Sequence, residues 1–235
     1  MKVAWFSAGV TSAVATYYAL EEYEEVEPVF IETGSHHPDN SRFIQECEKW
    51  YNRPIKVIQH NTFKDIYDVF RARKFINSPY GAPCTLVLKK EVRMEFERRN
   101  EVDNQFFGFE YEEREIARAS RFSRDFPHTN AIFPLISKKL NKRDCIGILE
   151  ENDIELPMMY RLGYSNNNCI GCVKGGMGYF NKVRVDFPEV FEATARMERE
   201  VGASCINGVF LDELDPTRGR MSEPLVEPCG VFCES

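Results

Sequence analysis

The sequence contains no apolar run approaching the ~20 residues that a membrane-spanning helix needs. It also lacks an excess of positive charge, because 30 lysines and arginines stand against 37 aspartates and glutamates, for a net charge of −7. That balance argues against affinity based on broad contact with a nucleic-acid backbone, although a local basic patch is compatible with it. No signal-peptide pattern opens the chain. We therefore expect a cytoplasmic protein that does not contact a membrane.

Internal repeats and low-complexity segments are also lacking, and hydrophobic residues make up 43% of the 235 residues. Such a chain suits one large domain or one domain with a small appendage. Short apolar runs at 3–6, 28–31 and 54–58 alternate with helix-like segments, a pattern typical of a doubly wound parallel α/β sheet. We predict a Rossmann-like, doubly wound domain at 1–165. A cysteine-rich C-terminal region at 166–235 is expected to pack on the same domain.

Eight cysteines need an explanation, since paired cysteines in a reducing compartment more often indicate metal, cluster or redox chemistry than disulfides. Cys169 and Cys172 form a C-x-x-C motif, whose thiolates can reach one metal or cluster from a tight turn. The other half of the site could come from Cys84 or from the tail residues Cys229 and Cys233. A redox dithiol is the alternative interpretation. Cys47 and Cys145 are predicted to be buried, and Cys205 receives no role.

The loop at 7–12 lies between the first strand-like run and a helix-compatible run. In a strand–loop–helix unit, free backbone N–H groups and the positive end of the helix dipole meet an anion. Ser7, Thr11 and Ser12 add hydroxyl donors. The loop therefore indicates a phosphate site, and an ordinary capped turn is the alternative.

Further polar candidates follow later predicted elements. His36 and His37 lie after the second strand, at the sheet edge where ligands of such folds bind, and we expect one of them to contact a ligand. Lys89, at the loop end of a basic helix, could face a phosphate or sulfate, with a solvated helix face as the alternative. Arg114 and Arg118 lie one helical turn apart among acidic residues, so an ion-pair network and a phosphate contact are both open.

In this order, the motifs resemble the phosphoadenosine phosphosulfate (PAPS) reductase family, part of the adenine-nucleotide alpha-hydrolase or PP-loop group. FSAGVTSAV resembles the nucleotide loop, and VFIETGSHHPDNSRF resembles the strand-two motif written with D-T-G and F-P-E-T. APCTLVLKK resembles the segment with a cysteine and a following lysine, and GFEYEERE the G-x-R-x-x-E region. The stretch from FPLIS to CIGC resembles the segment running into C-x-x-C. EPCG near the end resembles the E-C-G motif that carries the catalytic cysteine.

Two departures from the family pattern bear on the reaction. PP-loop pyrophosphatases typically show S-G-G-x-D-S, whereas here Ala8 replaces a glycine and Thr11 replaces the aspartate, which removes the carboxylate of the usual Mg-assisted route. Cluster-containing adenosine phosphosulfate (APS) reductases carry two adjacent cysteines where this chain has Pro83-Cys84. A cluster here would take its fourth ligand from the tail or leave one iron open.

The resemblance implies an enzyme that binds an adenine nucleotide (APS, PAPS or ATP) and reduces a sulfonucleotide beside an iron–sulfur cluster of the 4Fe-4S type, with zinc as the alternative metal. Thioredoxin or another thiol donor, or a sulfur-delivery protein, is the partner expected. The catalytic residues implied are Cys229, Lys89 and Arg114. The metal ligands implied are Cys84, Cys169, Cys172 and Cys233. The nucleotide-binding residues implied are Ser7, Ala8, Gly9, Val10, Thr11, Ser12, Glu32, Thr33, Gly34, His37 and Gly108.

Two other functions stay open at this stage. The first is an ATP-dependent, adenylating sulfur transferase that acts on a nucleobase or on DNA or RNA, the one case in which nucleic acid would be a partner. Related tRNA-thiolating enzymes are thought to hold sulfide on an open iron. The second is a non-catalytic nucleotide- and zinc-binding module. Sulfite release from APS, pyrophosphate release from ATP, or one zinc without turnover would separate the three.

Overall fold

A computed structural model describes residues 1–77 and 81–222. Its sheet has five strands in the order β3-β2-β1-β4-β5. The strands are β1 (Lys2–Phe6), β2 (Val26–Glu32), β3 (Lys56–Gln59), β4 (Asn104–Phe106) and β5 (Ala131–Ile132). β1 pairs in parallel with β2, Lys2 opposite Val26, and with β4, Lys2 opposite Asn104. This parallel α/β sheet confirms the predicted fold class, and the strand order reverses between β1 and β4.

Helices connect and flank the strands. They are α1 (Val10–Glu22), α2 (Asn40–Tyr51), α3 (Ile66–Arg73), α4 (Pro83–Thr85), α5 (Val92–Arg99), α6 (Glu113–Asp125), α7 (Pro134–Lys138), α8 (Lys142–Glu151), α9 (Met158–Arg161), α10 (Met177–Asp186) and α11 (Pro188–Val201). A π-helix, Leu86–Glu91, joins α4 to α5, and 3-10 turns lie at Pro127–Thr129 and Leu211–Glu213. Within the described residues, no helix has both the length and the apolarity to cross a bilayer.

The described chain divides into two compact units that interleave along the sequence. Unit 1 comprises Met1–Ile31, Pro38–Ile58 and Met94–Pro157. Unit 2 comprises Glu32–His37, Gln59–Arg93 and the described residues from Met158 onward. The predicted boundary near residue 165 stays a prediction.

Unit 1 is built on the apolar central strand. Val3, Ala4, Trp5 and Phe6 of β1 are all buried, as expected for a strand covered on both faces. The Trp5 indole donates a hydrogen bond to the Gln105 side chain of β4 at 2.7 Å, which satisfies a buried polar pair. The sheet therefore provides a rigid base for the loops at its carboxyl edge.

Unit 2 has its own hydrophobic cluster, drawn from α3, the π-helix, α10, α11 and the C-x-x-C segment. Fully buried members include Phe70, Val87, Phe180 and Leu211. Cys169 and Cys172 belong to this cluster, and Cys84 packs against it. The C-x-x-C segment is thus part of a packed core, which fixes the positions of its thiols.

Gly108, just after β4, packs directly on the first turn of α1. A Cβ at this position would lie 2.7 Å from both the N and Cα atoms of Ser12. We expect Gly108→Ala to lower the free energy of unfolding by about 1–3 kcal/mol, because backbone must move to relieve the overlap. Urea denaturation measures this loss.

The matched control for that substitution is Gly147→Ala. Gly147 lies inside α8, and a Cβ there meets nothing within 4 Å. Alanine at this position should raise stability by about 0.5–1 kcal/mol through helix propensity. Equal effects of the two variants would refute close packing of Gly108 on α1.

Candidate functional site

The loop between β1 and α1 is organised by the Ser12 hydroxyl. This oxygen accepts the backbone N–H of Ser7 at 3.0 Å and that of Gly9 at 3.3 Å. It also hydrogen-bonds to the Ser7 hydroxyl at 3.0 Å and to the Gly9 carbonyl at 2.9 Å. Gly9 is the N-cap of α1, so the positive end of the helix dipole faces this turn. An anion site at this helix N-terminus stays a prediction.

Two further features distinguish the loop of residues 7–12, a backbone conformation and a packing contact. Ala8 has a φ of +57°, a left-handed conformation that is uncommon for a residue with a side chain and is typical of functional turns. Gly108 presses on the same turn from the neighbouring strand β4. The loop therefore lies where the strand order reverses, the usual ligand position in open α/β sheets. Its assignment to a nucleotide stays a prediction.

In unit 2, the polar segment after β2 folds around the Glu32 carboxylate. Its Oε1 atom accepts the backbone N–H groups of Thr33 and Gly34, each at 2.7 Å, and contacts Nδ1 of His36 at 2.9 Å. Gly34 has a φ of +69°, and a Cβ there would lie 1.8 Å from the Lys64 carbonyl oxygen. Glycine is thus required for this tight turn.

The C-x-x-C segment docks on that turn through three contacts. The backbone N–H of Ile170 donates to the Ser35 carbonyl at 2.9 Å. The Thr33 hydroxyl lies 3.1 Å from Sγ of Cys169, and the His36 ring hydrogen-bonds to the same sulfur. Both motifs can be recognised in the sequence, but nothing in it predicts that they meet, since 136 residues separate Thr33 from Cys169.

Buried Tyr179 of α10 fixes the turn between the two cysteines. Its hydroxyl accepts the Cys172 N–H at 2.9 Å and donates to the Cys169 carbonyl at 3.2 Å. We expect Tyr179→Phe to cost about 1–3 kcal/mol of stability, because the buried Cys172 N–H loses its acceptor. Urea denaturation checks this, with Tyr23→Phe as the control, since the Tyr23 side chain lies at the surface. Equal stabilities of the two variants would contradict the conclusion that the Tyr179 hydroxyl fixes this turn.

Three thiols line one pocket in unit 2. Cys84, Cys169 and Cys172 share it with Lys89 and the apolar residues Ile66, Ala82, Leu88 and Val173, and about 400 Å³ of space lies between the atoms, part of it open to solvent. All three cysteines are free of disulfides. Lys89 is buried, 7% exposed, and comes from the π-helix, an element often found at functional sites. Soft sulfur donors beside one cation suit metal or sulfur chemistry.

The charges around Cys169 favour its thiolate. Burial raises the pKa of this thiol, but the His36 charge and hydrogen bond, then the Lys89 charge and the Thr33 hydrogen bond, lower it to about 7. Burial lowers the pKa of His36, but the charge of Cys169 and hydrogen bonds with Cys169 and Glu32 raise it to about 9. The surroundings of Cys169 thus favour the thiolate, the form that binds soft metals, more than those of an ordinary cysteine do.

Cys205, to which the sequence assigned no role, lies near this group. Burial raises the pKa of its thiol well above the ordinary value, and so do the charges of Glu198, Cys172 and Cys84. Its thiol hydrogen-bonds to Glu198, and its backbone N–H donates to the same carboxylate at 2.6 Å. Those contacts favour a protonated thiol at this position.

Other predicted site residues have different surroundings. His37 packs edge-on against the Phe187 ring, with centroids 5.7 Å apart, whereas His36 contacts Cys169. Arg114 is exposed in the first turn of α6. Arg118 binds Glu115 at 3.2 Å and lies over the Phe109 ring. Of the two roles predicted for it, Arg118 therefore makes the ion pair. Cys229 and Cys233 lie outside the described residues. The roles of these residues stay predictions.

A family profile described as the phosphoadenosine phosphosulfate reductase domain matches residues 2–176. The match covers most of the chain, which therefore belongs to this family, as the sequence motifs predicted.

Two individual similarities accompany the family match. An uncharacterized protein of Methanocaldococcus jannaschii, MJ0973, is 24% identical over 191 residues, which are 79% of this chain and 44% of that protein. The chain thus spans less than half the length of this relative. The crystal structure of PAPS reductase from Candida auris, a phosphate complex, superposes with a TM-score of 0.53 at 13% identity, over 72% of this chain and 81% of that one. The second similarity establishes the fold.

Proposed function

We propose that this chain is a sulfonucleotide reductase that binds APS or PAPS at the loop of residues 7–12 and carries a [4Fe–4S] cluster on Cys84, Cys169 and Cys172. The observation that carries the proposal is the pocket lined by these three thiols and buried Lys89, which the family match alone would not require.

The donor set fits a cluster better than a single ion. In residues 1–77 and 81–222, no three His, Cys, Asp or Glu side chains converge closely enough to hold one metal ion. The side chains of Cys84, Cys169 and Cys172 nevertheless line the same pocket. Thiols spread around a space match the several irons of a cluster, each held by its own cysteine, more closely than the tight tetrahedron of a zinc site. When bound, the cluster would supply electrostatic stabilisation for sulfur chemistry.

The chain's own residues have separable roles in this proposal. Backbone N–H groups at the start of α1 and the hydroxyls of Ser7 and Thr11 would hold the nucleotide phosphates, while Ser12 keeps the turn in shape. Lys89 supplies a buried positive charge beside the thiols, suited to an anionic sulfur group.

The proposed reaction uses Cys229 as the nucleophile. Its thiolate attacks the sulfur of the sulfo group, an S–S bond forms, and the S–O bond to the nucleotide phosphate breaks, which releases AMP or its 3′-phosphorylated form. A thiol donor then attacks Sγ of the resulting thiosulfonate. Sulfite leaves, and a disulfide between Cys229 and the donor remains, to be reduced by a second donor thiol.

A sulfur transferase is the second candidate, and one observation favours it. Pro83 occupies the position of a second adjacent cysteine, so three thiols line the pocket in the described chain. A cluster held by three cysteines has an open iron that could carry sulfide. In that function, the loop of residues 7–12 would bind ATP and the target would be adenylated before sulfur transfer.

Substrate turnover by the anaerobically purified, reconstituted protein decides between these functions. With dithiothreitol as thiol donor, sulfite release from APS or PAPS supports the reductase. Pyrophosphate release from ATP, without sulfite from either sulfonucleotide, would rule out the reductase and support the sulfur transferase. A protein with one zinc, no iron and no turnover would favour a binding module and overturn both enzymes.

A further inference from the structure

A chain of three side chains leads from the surface to the sulfur of Cys169. Oε1 of Glu32 lies 2.9 Å from Nδ1 of His36, and the His36 ring in turn hydrogen-bonds to Cys169. The His36 side chain is 5% exposed and that of Glu32 is 31% exposed. The carboxylate thus orients a nearly buried ring that also contacts a thiol of the pocket.

This arrangement is the one that proteins use to tune a metal ligand from outside the coordination shell. Groups outside the coordination shell that hydrogen-bond to a metal ligand orient it, and their loss typically lowers metal affinity 10–100-fold. Hydrogen bonds to cysteine sulfur are also among the factors that set the reduction potential of iron–sulfur clusters, since they stabilise the added negative charge of the reduced state.

The His36 contact is not what holds the cysteine loop in place. The backbone bond from Ile170 to Ser35 docks that loop, and Tyr179 braces its turn from the other side. His36 instead contacts the Cys169 sulfur itself, as does the Thr33 hydroxyl at 3.1 Å.

We propose that His36, oriented by Glu32, is a positioning residue that donates a hydrogen bond to the Cys169 sulfur and raises the reduction potential of a cluster bound there. The inference rests on the proposed iron–sulfur cluster and adds to it a pair of residues that tune the cluster. It also distinguishes the two adjacent histidines, because His37 packs against Phe187.

The test is the midpoint potential of the reconstituted cluster, followed by its visible absorption during electrochemical titration. His36→Leu, which removes the donor, should make reduction less favourable by about tenfold in the one-electron equilibrium constant, ~59 mV more negative. His36→Gln keeps an N–H donor and should recover part of the shift. Glu32→Gln should give an intermediate shift, because the ring loses its charged anchor. His128→Gln, at an exposed histidine, is the matched control and should leave the potential unchanged.

The outcomes separate this inference from the proposed function. Wild-type protein that forms no cluster overturns both. A loaded His36→Leu protein with the wild-type potential overturns the inference and leaves the cluster in place. Equal shifts in His36→Leu and His36→Gln would also overturn it, because a retained donor would then make no difference.

Discussion

Replacing Cys169 with alanine is expected to reduce the iron bound after anaerobic reconstitution at least about tenfold relative to the wild-type protein. Cys169 lines the thiol pocket, and its thiolate is favoured by His36 and Lys89. Alanine removes the donor atom and leaves the loop contacts of Ile170 and Tyr179 intact. Iron analysis together with the visible absorption spectrum measures the loss, and Cys84→Ala and Cys172→Ala should behave alike.

Buried cysteines elsewhere in the chain provide the controls for this series. Cys145 is buried in α8 of unit 1, and burial raises the pKa of its thiol to about 12, so Cys145→Ala should retain the iron. Cys205→Ala should retain it as well, because that thiol hydrogen-bonds to Glu198. Full iron content in Cys169→Ala would contradict the assignment of the pocket. Loss of iron only in Cys205→Ala would instead assign the iron site to the 203–211 loop.

Replacing Glu198 with alanine is expected to cost about 3–5 kcal/mol of folding stability, the largest single effect on folding that we anticipate. Glu198 is fully buried, and its two carboxylate oxygens accept the backbone N–H groups of Cys205 and Leu211. Alanine leaves two buried donors without an acceptor, each costing about 1–3 kcal/mol. The carboxylate thus anchors the 203–211 loop to the hydrophobic cluster of unit 2, which contains Cys169 and Cys172.

Urea denaturation of two further variants keeps this prediction testable. Glu198→Gln retains one acceptor oxygen and should lose about half as much, which provides a measurable variant if Glu198→Ala does not fold. Glu192→Ala is the matched control on the same helix, because its carboxylate is exposed and pairs with Arg196 at 3.7 Å. A Glu198→Ala protein as stable as Glu192→Ala would show that the buried carboxylate does not hold the loop.

The sheet could be predicted because β1 and the middle of β2 are short, buried apolar runs, each followed by a helix-like segment. The same holds for α8, whose N-cap Asn141 accepts the N–H groups of Arg143 and Asp144. Capping was less predictable at α2, where Asp39 binds Arg42 at 2.8 Å and makes no cap hydrogen bond. The last strand is only Ala131–Ile132, because Pro134 begins α7 at a position where its missing N–H costs nothing.

Sequence patterns gave less information about the segments that build the thiol pocket. The basic helix that contains Lys89 begins as a π-helix, a form that has no composition signature. No sequence pattern predicts the helix Met177–Asp186, because Gly178 and mixed polarity hide its periodicity. The choice between His36 and His37 depends on tertiary contacts with Cys169 and Phe187, which no local pattern reports.

The most direct test is iron and acid-labile sulfide analysis of the wild-type protein purified anaerobically, together with its absorption spectrum. The pocket of Cys84, Cys169 and Cys172 predicts a brown protein with about four irons and about four sulfides per chain, as a [4Fe–4S] cluster requires. A colourless protein that contains zinc or no metal, and that takes up no iron on reconstitution, would contradict the account.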